Sequence, residues 1–277
     1  MLPAQILAAV PSPYQKVSIA SRAAYVLDGK TGKELWNFNG DVQLPLASLT
    51  KIMMAVTALS LIPENTIITI NPAFLETEGD SGLYGNERWL FNDLLDLTLL
   101  ESSNDGANAI AVVAGARGRE DVSESIGRER FVSAMNNKAK ELGLKQTYFL
   151  NPTGLDESDD VSGGYGSARD MAALFSYSIH TYPTLLEATR HRVREFTSLS
   201  SFKHKVKNTN ALVGSFSSLI GSKTGYTDLA GGNLVLAFDA GLDHPIIISV
   251  LGSTEKGRFE DVEKLVYATL SSLASSP

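Results

Sequence analysis

Apolar and polar positions at the start of the chain predict a β-hairpin followed by a helix. Two apolar stretches between residues 23 and 38 flank the sequence DGKTG, and Asp-Gly and Thr-Gly pairs favour a tight turn between strands. Residues 48–61 then carry good helix formers, with a serine at the start and Pro63 beyond the end. This pattern predicts a helix that begins near Ser48.

The middle of the chain has apolar residues at helical spacing, whereas the last third returns to strand-like runs. The predicted helices of the middle are 89–100, 104–116, 128–144 and 167–180. The predicted strands of the last third are 191–196, 218–223, 233–238 and 245–252, followed by an amphipathic helix at 258–270. We therefore predict an α+β fold in which one antiparallel sheet is built from both chain ends and flanked by helices.

The order of these elements predicts one domain with two lobes. We expect residues 1–22 to form an N-terminal extension, and residues 23–277 to form a single domain. Its α/β lobe would comprise 23–60 and 191–277, and the residues between them, 61–190, would form an inserted helical lobe. A cleft between the two lobes follows from this arrangement.

Composition excludes several classes of protein. The 277 residues carry a net charge of -7, which argues against nucleic-acid binding, because phosphate contacts need clustered Lys and Arg. There is no cysteine, and the four histidines lack paired spacing, so we expect no metal and no cofactor. The chain has no apolar run of membrane-span length and no basic signal-peptide start. We expect it to be soluble, with any targeting segment or membrane anchor of the natural protein absent from it.

Two polar stretches are predicted to lie at the surface. The Gly/Ser-rich segment 156–167 is typical of an exposed loop. The dense basic stretch Lys203–Lys207 is short, and we interpret it as a solvated strand or loop edge.

The helix that begins near Ser48 carries the first candidate chemistry. The sequence Ser48-Leu49-Thr50-Lys51 places a hydroxyl and an amine three residues apart, and therefore on one helix face. A serine hydroxyl must lose its proton as it attacks, so a neighbouring group has to accept that proton. Lys51 can do so if burial or nearby positive charge, including the helix N-terminus, lowers its pKa.

The Ser-x-x-Lys spacing alone does not identify a nucleophile. It occurs twice more, at Ser200/Lys203 in a polar strand-like stretch and at Ser253/Lys256 in a turn after a strand. Position favours Ser48, which opens a long apolar helix. The alternative interpretation is a serine that caps the helix, with a solvated lysine one turn later.

The second candidate is Ser102-Ser103-Asn104, which lies between two predicted apolar helices. It would form a loop of the helical lobe. The alternative is an ordinary helix cap, with Ser103 or Asn104 capping a helix that begins at Asp105.

The third candidate is Lys223-Thr224-Gly225 on a predicted strand. Glycine permits close approach of a ligand backbone, and lysine with threonine can hold a carboxylate. The same three residue types occur at 30–32, where hairpin geometry explains the glycine. The later copy is the one on a strand, and Tyr226 follows it.

The combination of these motifs, in this order, is typical of penicillin-binding proteins and serine β-lactamases. The segments ASLTKIM, LLESSNDGANAIA, FVSAMNNKAKELGLKQTYFLNPTGLD, YGSARDMAAL and GSKTGYTDLAGGNLV resemble one family more specifically. This family is the D-alanyl-D-alanine carboxypeptidases, which are low-molecular-mass penicillin-binding proteins and serine peptidases of the Ser-x-x-Lys type. The resemblance runs from about Ala23 to the end and implies a β-lactamase/transpeptidase-like fold.

The resemblance implies a catalytic apparatus. Ser48 would attack the carbonyl between the last two D-alanines of a peptidoglycan stem peptide, and water would hydrolyse the acyl-enzyme. Lys51 would take the Ser48 proton, while Ser102 would relay a proton to the leaving amine. Asn104 would hydrogen-bond the substrate and orient Lys51. The backbone N–H groups of Ser48 and Tyr226 would form the oxyanion hole.

The resemblance also implies substrate contacts and a cellular setting. Lys223 would keep the site electropositive, Thr224 would receive the terminal carboxylate, and Gly225 would leave room for the substrate. Arg258 matches a family position that assists carboxylate binding. The alternative interpretation is that Arg258 is a surface residue at the start of the last helix. The expected partners are stem peptides ending in D-Ala-D-Ala and, as covalent inhibitors, β-lactams. The expected location is extracytoplasmic, either periplasmic or at the cell surface.

Two departures and several rival interpretations accompany this resemblance. Ser103 stands where the family more commonly has glycine, and the C-terminal β domain and membrane-binding helix of many relatives are expected to be absent. A DD-endopeptidase would use the same motifs. A serine β-lactamase would need a water-activating glutamate, and Glu157 lacks the usual Glu-x-x-x-Asn arrangement. A catalytically silent peptidoglycan-binding homologue would need no proton relay.

Overall fold

In the computed structural model, strands from both chain ends meet in one antiparallel sheet. The structure describes residues 12–76, 79, 82–117, 119, 121–215 and 218–275. The strands in these residues are β1 (Ala23–Asp28), β2 (Glu34–Phe38), β3 (Leu44–Pro45), β4 (Ile67–Thr69), β5 (Arg88–Leu90), β6 (Tyr148–Phe149), β7 (Gly164–Gly166), β8 (Val193–Thr197), β9 (Lys203–Lys207), β10 (Leu219–Thr227), β11 (Gly231–Asp239) and β12 (Pro245–Ser253). The main sheet has the order β10-β11-β12-β1-β2.

The helices pack on this sheet and on one another. They are α1 (Thr50–Leu61), α2 (Phe91–Glu101), α3 (Asn104–Ala116), α4 (Glu124–Glu141), α5 (Ala168–Thr181) and α6 (Gly257–Ala274). Short 3₁₀ helices lie at Pro13–Lys16, Ala47–Leu49, Pro72–Glu76 and Glu187–Arg190. None of the helices in the described part of the chain is both long and apolar enough to cross a membrane.

Both faces of the main sheet are buried at β12, which explains the continuous apolar run in that strand. Ile246, Ile248 and Val250 pack in the core that includes α6, whereas Ile247 and Leu251 pack in the core that includes α1 and α5. Successive strand residues point to opposite faces. A strand between two helical layers therefore needs apolar side chains at nearly every position.

Helix α1 lies inside the helical layer. It contacts α3, α4 and α5, and all of its residues from Thr50 to Ala58 are buried. The 3₁₀ helix Ala47–Leu49 at its start packs against β10. This contact brings the start of α1 to the strand that carries the Lys-Thr-Gly sequence.

The predicted α+β fold, with a sheet built from both chain ends, is confirmed. The division into lobes at residues 60 and 190 stays a prediction, as does the boundary of the N-terminal extension at residue 22. The structure shows that part of this extension is held in place: Tyr14 Oη lies 2.8 Å from Thr269 Oγ1 on α6. The backbone N–H groups of Ala20 and Ser21 donate to Asp261 on the same helix.

Several local predictions were wrong. Trp89 and Leu90 belong to β5, not to a helix, because this short strand pairs with β4 and buries the indole ring completely. Helix α4 begins earlier than predicted, at Glu124, where Ser123 caps it. The segment 156–167 is exposed only in its first part, since β7 at its end is mostly buried. Strands of two or three residues carry too few positions for an alternating pattern to reveal them.

Candidate active site

Ser48 lies in the 3₁₀ turn immediately before α1. The preceding residue, Ala47, has a φ of 47°, a left-handed conformation that is uncommon outside glycine. The N-cap position of α1 is Leu49, and no side chain caps the helix there. Ser48 is therefore not a capping serine, and its half-buried hydroxyl is available for another role.

The Lys51 amine is held by three oxygen atoms. Lys51 Nζ lies 2.9 Å from Ser48 Oγ. It also lies 2.7 Å from Asn104 Oδ1 and 2.9 Å from the Thr153 carbonyl oxygen. Carbonyl oxygens can only accept hydrogen bonds, so these two contacts engage two N–H bonds of the amine. When Lys51 is neutral, its lone pair remains for the Ser48 hydroxyl proton.

The environment of Lys51 favours this neutral form. The side chain is fully buried. Burial, and then the positive charge of Lys223, hold the pKa of Lys51 well below its usual value of 10.5. The structure thus supplies a base, already in hydrogen-bonding distance of the serine, that needs no conformational change to accept its proton.

A second buried lysine holds the Ser-x-Asn turn. Ser102 ends α2 with a φ of 70°, and this left-handed conformation turns the chain sharply into α3. Lys223 Nζ donates to Ser102 Oγ at 2.8 Å and to the Thr224 carbonyl oxygen at 2.9 Å. The lysine on β10 therefore links the two sides of the site.

Lys223 also carries a strongly shifted pKa. Burial, and then the positive charge of Arg258, lower the pKa of Lys223 from 10.5 to about 7. The positive charges of Lys223 and Arg258 thus lie close together beside the neutral Lys51. Such a concentration of positive charge favours binding of an anionic group.

Gly225 is required by the close approach of β10 to Ser48. A Cβ atom at this position would lie 2.9 Å from the Leu46 carbonyl oxygen, 3.1 Å from Ser48 N and 3.2 Å from Ala47 Cβ. Any larger residue would displace the backbone that holds the serine. Tyr226 follows on the same strand, pairs with Gly232 and has a side chain that is 48% exposed.

Arg258 is buried and contacts the site through the strand. Its Nη1 atom donates to the Gly225 carbonyl oxygen at 2.7 Å, and its guanidinium lies over the Phe259 ring. The side chain is 7% exposed, so the alternative of a surface residue at the start of the last helix was wrong.

The Ser102-Ser103-Asn104 sequence serves as both cap and site. Ser103 is the N-cap of α3, and its Oγ accepts a hydrogen bond from Gly106 N at 2.9 Å. The two flanking residues contact the buried lysines. The capping interpretation is therefore confirmed for Ser103, whereas the chemical roles of Ser102 and Asn104 stay predictions.

The other copies of the motifs lie away from this cluster of contacts. Ser200 Oγ accepts from the backbone N–H of Arg88, and Ser253 Oγ donates to Asp261. The Lys-Thr-Gly copy at 30–32 forms the turn between β1 and β2, where Gly32 has a φ of 74°.

Sequence reasoning missed the part played by the turn at 151–154. Asn151 Oδ1 accepts hydrogen bonds from Thr153 N and Gly154 N, which fixes the carbonyl that meets Lys51. Gly154 has a φ of 81°, and a Cβ atom there would overlap the Ala47 carbonyl oxygen. The Asn-Pro-Thr-Gly sequence signals a turn. A backbone carbonyl ligand, however, has no sequence signature.

A serine bonded to a buried lysine, with a Ser-x-Asn turn and a Lys-Thr-Gly strand beside it, defines the class of penicillin-binding proteins and serine β-lactamases. The profile of the peptidase S11 family, described as D-alanyl-D-alanine carboxypeptidase, matches residues 9–255. The chain belongs to this family.

Known relatives agree with this assignment. The chain is 30% identical to the D-alanyl-D-alanine carboxypeptidase DacF of Bacillus subtilis, over 93% of this chain and 64% of that protein. It is 34% identical to a D-alanyl-D-alanine endopeptidase of Pseudomonas aeruginosa, over 79% of this chain and 67% of that protein. The chain thus spans about two thirds of the length of these relatives.

The fold also matches solved structures. Penicillin-binding protein D2 from Listeria monocytogenes, in an ampicillin-bound form, superposes with a TM-score of 0.75 and 28% identity. The match covers 90% of this chain and 97% of that one.

Proposed function

We propose that this protein is a serine DD-carboxypeptidase that removes the terminal D-alanine from peptidoglycan stem peptides through an acyl-enzyme on Ser48. The observation that carries the proposal is the geometry of Lys51. Its amine has two N–H bonds directed at carbonyl oxygens and lies 2.9 Å from the Ser48 hydroxyl. A buried neutral amine in this position can accept the serine proton during attack.

Acylation follows from the arrangement of hydrogen bonds. As Ser48 Oγ bonds to the carbonyl carbon, its proton passes to Lys51 Nζ, and the carbonyl oxygen becomes negative. The backbone N–H groups of Ser48 and Tyr226 would stabilise that oxyanion. The C–N bond then breaks, and the leaving amine takes a proton relayed through Ser102, which leaves D-alanine and an ester on Ser48.

The positive charges beside the serine would select the substrate. Lys223 and Arg258 give the site the potential that attracts a terminal carboxylate, and Thr224 supplies a hydroxyl to receive it. Arg258 would contribute through the Gly225 carbonyl that it holds. β-Lactams carry a carboxylate and a reactive amide, so the same residues would bind them as covalent inhibitors.

Deacylation is expected to be slow toward β-lactams. Glu157, the candidate water-activating glutamate, has an exposed side chain and accepts a hydrogen bond from Asn151 Nδ2 at 2.6 Å. The group from this loop that contacts Lys51 is the Thr153 carbonyl. A carbonyl oxygen cannot act as the general base that activates water. This favours a penicillin-binding protein over a β-lactamase.

A second candidate is a DD-endopeptidase of the same family. The observation that favours it is the relative from Pseudomonas aeruginosa that is named as an endopeptidase. Both activities would use the same serine and lysine. For either one, a peptidoglycan substrate would place the protein outside the cytoplasm, in the periplasm or at the cell surface.

Release of D-alanine from a stem pentapeptide tests the proposal. We expect wild type to release D-alanine, and Ser48→Ala to release none. Ser200→Ala is the matched control, because it removes the serine of another Ser-x-x-Lys sequence, and it should leave the rate unchanged. Cleavage of cross-linked dimers without release of free D-alanine would favour the endopeptidase, whereas no cleavage of either substrate would refute both.

A further inference from the structure

An exposed threonine lies directly against the hydroxyl of the Lys-Thr-Gly strand. Thr209 Oγ1 is 2.6 Å from Thr224 Oγ1. Thr224 is only 4% exposed, whereas Thr209 is exposed. The two hydroxyls therefore meet where the buried strand opens to solvent.

The chain holds Thr209 in place through both of its neighbours. Asn208 Nδ2 donates to the carbonyl oxygens of Thr189, at 2.7 Å, and His191, at 3.0 Å. Asn210 Nδ2 donates to Ser222 Oγ at 2.9 Å. These contacts fix the backbone on both sides of Thr209 and hold its side chain beside Thr224.

Counting protons shows what this contact can do. Each hydroxyl has one proton to donate and can accept in return. If Thr224 donated to Thr209, its proton would be turned away from a carboxylate. If Thr209 donates to Thr224, the Thr224 proton is free to be donated to the carboxylate. The hydrogen bond from Thr209 then polarises the Thr224 hydroxyl and strengthens its hydrogen bond to the carboxylate.

We propose that Thr209 is a positioning residue for carboxylate recognition: it donates its hydroxyl proton to Thr224 and thereby directs the Thr224 proton at the C-terminal carboxylate of the peptide. This inference rests on the proposed function, and it defines the substrate class more narrowly. Thr209 contributes only when the substrate ends in a free carboxylate.

Paired substrates separate this role from a structural one. Wild type and Thr209→Val are each assayed with two forms of one D-Ala-D-Ala peptide, the free acid and the C-terminal amide. Valine keeps the shape of threonine and removes its hydroxyl. We expect kcat/KM for the free acid to fall roughly tenfold, mainly through KM. For the amide, the change should stay within about twofold.

Two further variants complete the design. Thr209→Ser retains the hydroxyl and should restore most of the activity on the free acid. Thr69→Val makes the same change at an exposed threonine on β4 and should affect neither substrate. Equal losses on both substrates, no loss on the free acid, or no rescue by serine would overturn the proposal.

A binding measurement distinguishes failure of this inference from failure of the proposed function. In a Ser48→Ala background, titration calorimetry with the free-acid peptide should show about tenfold weaker binding after Thr209→Val. Unchanged binding, with wild type still releasing D-alanine, overturns the role of Thr209 alone. Wild type that neither binds nor cleaves the free-acid peptide overturns both.

Discussion

Replacing Lys223 with methionine is expected to change how the stability of the protein depends on pH. In the unfolded chain this lysine stays protonated up to its ordinary pKa of 10.5, whereas burial and Arg258 lower its pKa to about 7 in the folded protein. Between these two values the unfolded state binds more protons, so the stability of wild type rises with pH. Methionine has no proton to gain or lose.

The pKa values give the size of the effect. One pKa unit corresponds to about 1.4 kcal/mol, so at pH values near 6 the buried lysine costs the folded state roughly 5 kcal/mol. Near pH 9.5 the cost falls to roughly 1 kcal/mol. The free energy of unfolding of wild type, minus that of Lys223→Met, should therefore rise by roughly 3–4 kcal/mol between these two pH values.

Urea unfolding at a series of pH values measures this difference directly. The hydrogen bonds that the variant loses, to Ser102 and Thr224, do not titrate in this range and shift all points alike. Loss of Lys223 also removes one cause of the low pKa of Lys51, which adds to the effect with the same sign. Parallel curves for the two proteins, or a difference that falls as pH rises, would refute the charge assignment.

Three other substitutions have defined outcomes. Asn104→Leu removes one of the acceptors that orient Lys51, so the rate of acylation by a fluorescent penicillin should fall about a hundredfold. Gly225→Ala displaces the backbone N–H of Ser48, so acylation should again fall about a hundredfold and the free energy of unfolding should fall by about 1–3 kcal/mol; normal acylation would contradict the close approach. Ser103→Ala removes the N-cap of α3, so the free energy of unfolding should fall by about 1 kcal/mol, with acylation within about twofold of wild type.

Sequence patterns predicted those parts of the site whose residues are close together in the chain. Ser48 and Lys51 lie on one turn, and their spacing was readable from the chain alone. Strands β1, β11 and β12 of the main sheet were also predictable, because each carries a run of apolar residues with turn residues nearby. Trp89 was misassigned because its burial depends on pairing between two three-residue strands, which no short window reveals.

Other features depend on contacts between distant segments. The Thr153 carbonyl meets Lys51 across about a hundred residues of chain, and a carbonyl is present at every residue. Thr209 and Arg258 gain their contacts with β10 only when the sheet has formed. The sequence around Ser103 allowed two interpretations, a helix cap and a part of the active site. The folded turn shows that Ser103 is the cap, whereas its two neighbours contact the buried lysines.

Intact mass spectrometry after incubation with a penicillin tests the central claim most directly. Wild type should gain the mass of one penicillin molecule, the adduct should persist, and peptide mapping should place it on Ser48. Ser48→Ala should gain no mass. The account would be contradicted by an adduct on Ser48→Ala. It would also be contradicted if wild type neither formed an adduct nor turned over the drug, whereas rapid turnover without an adduct would indicate a β-lactamase.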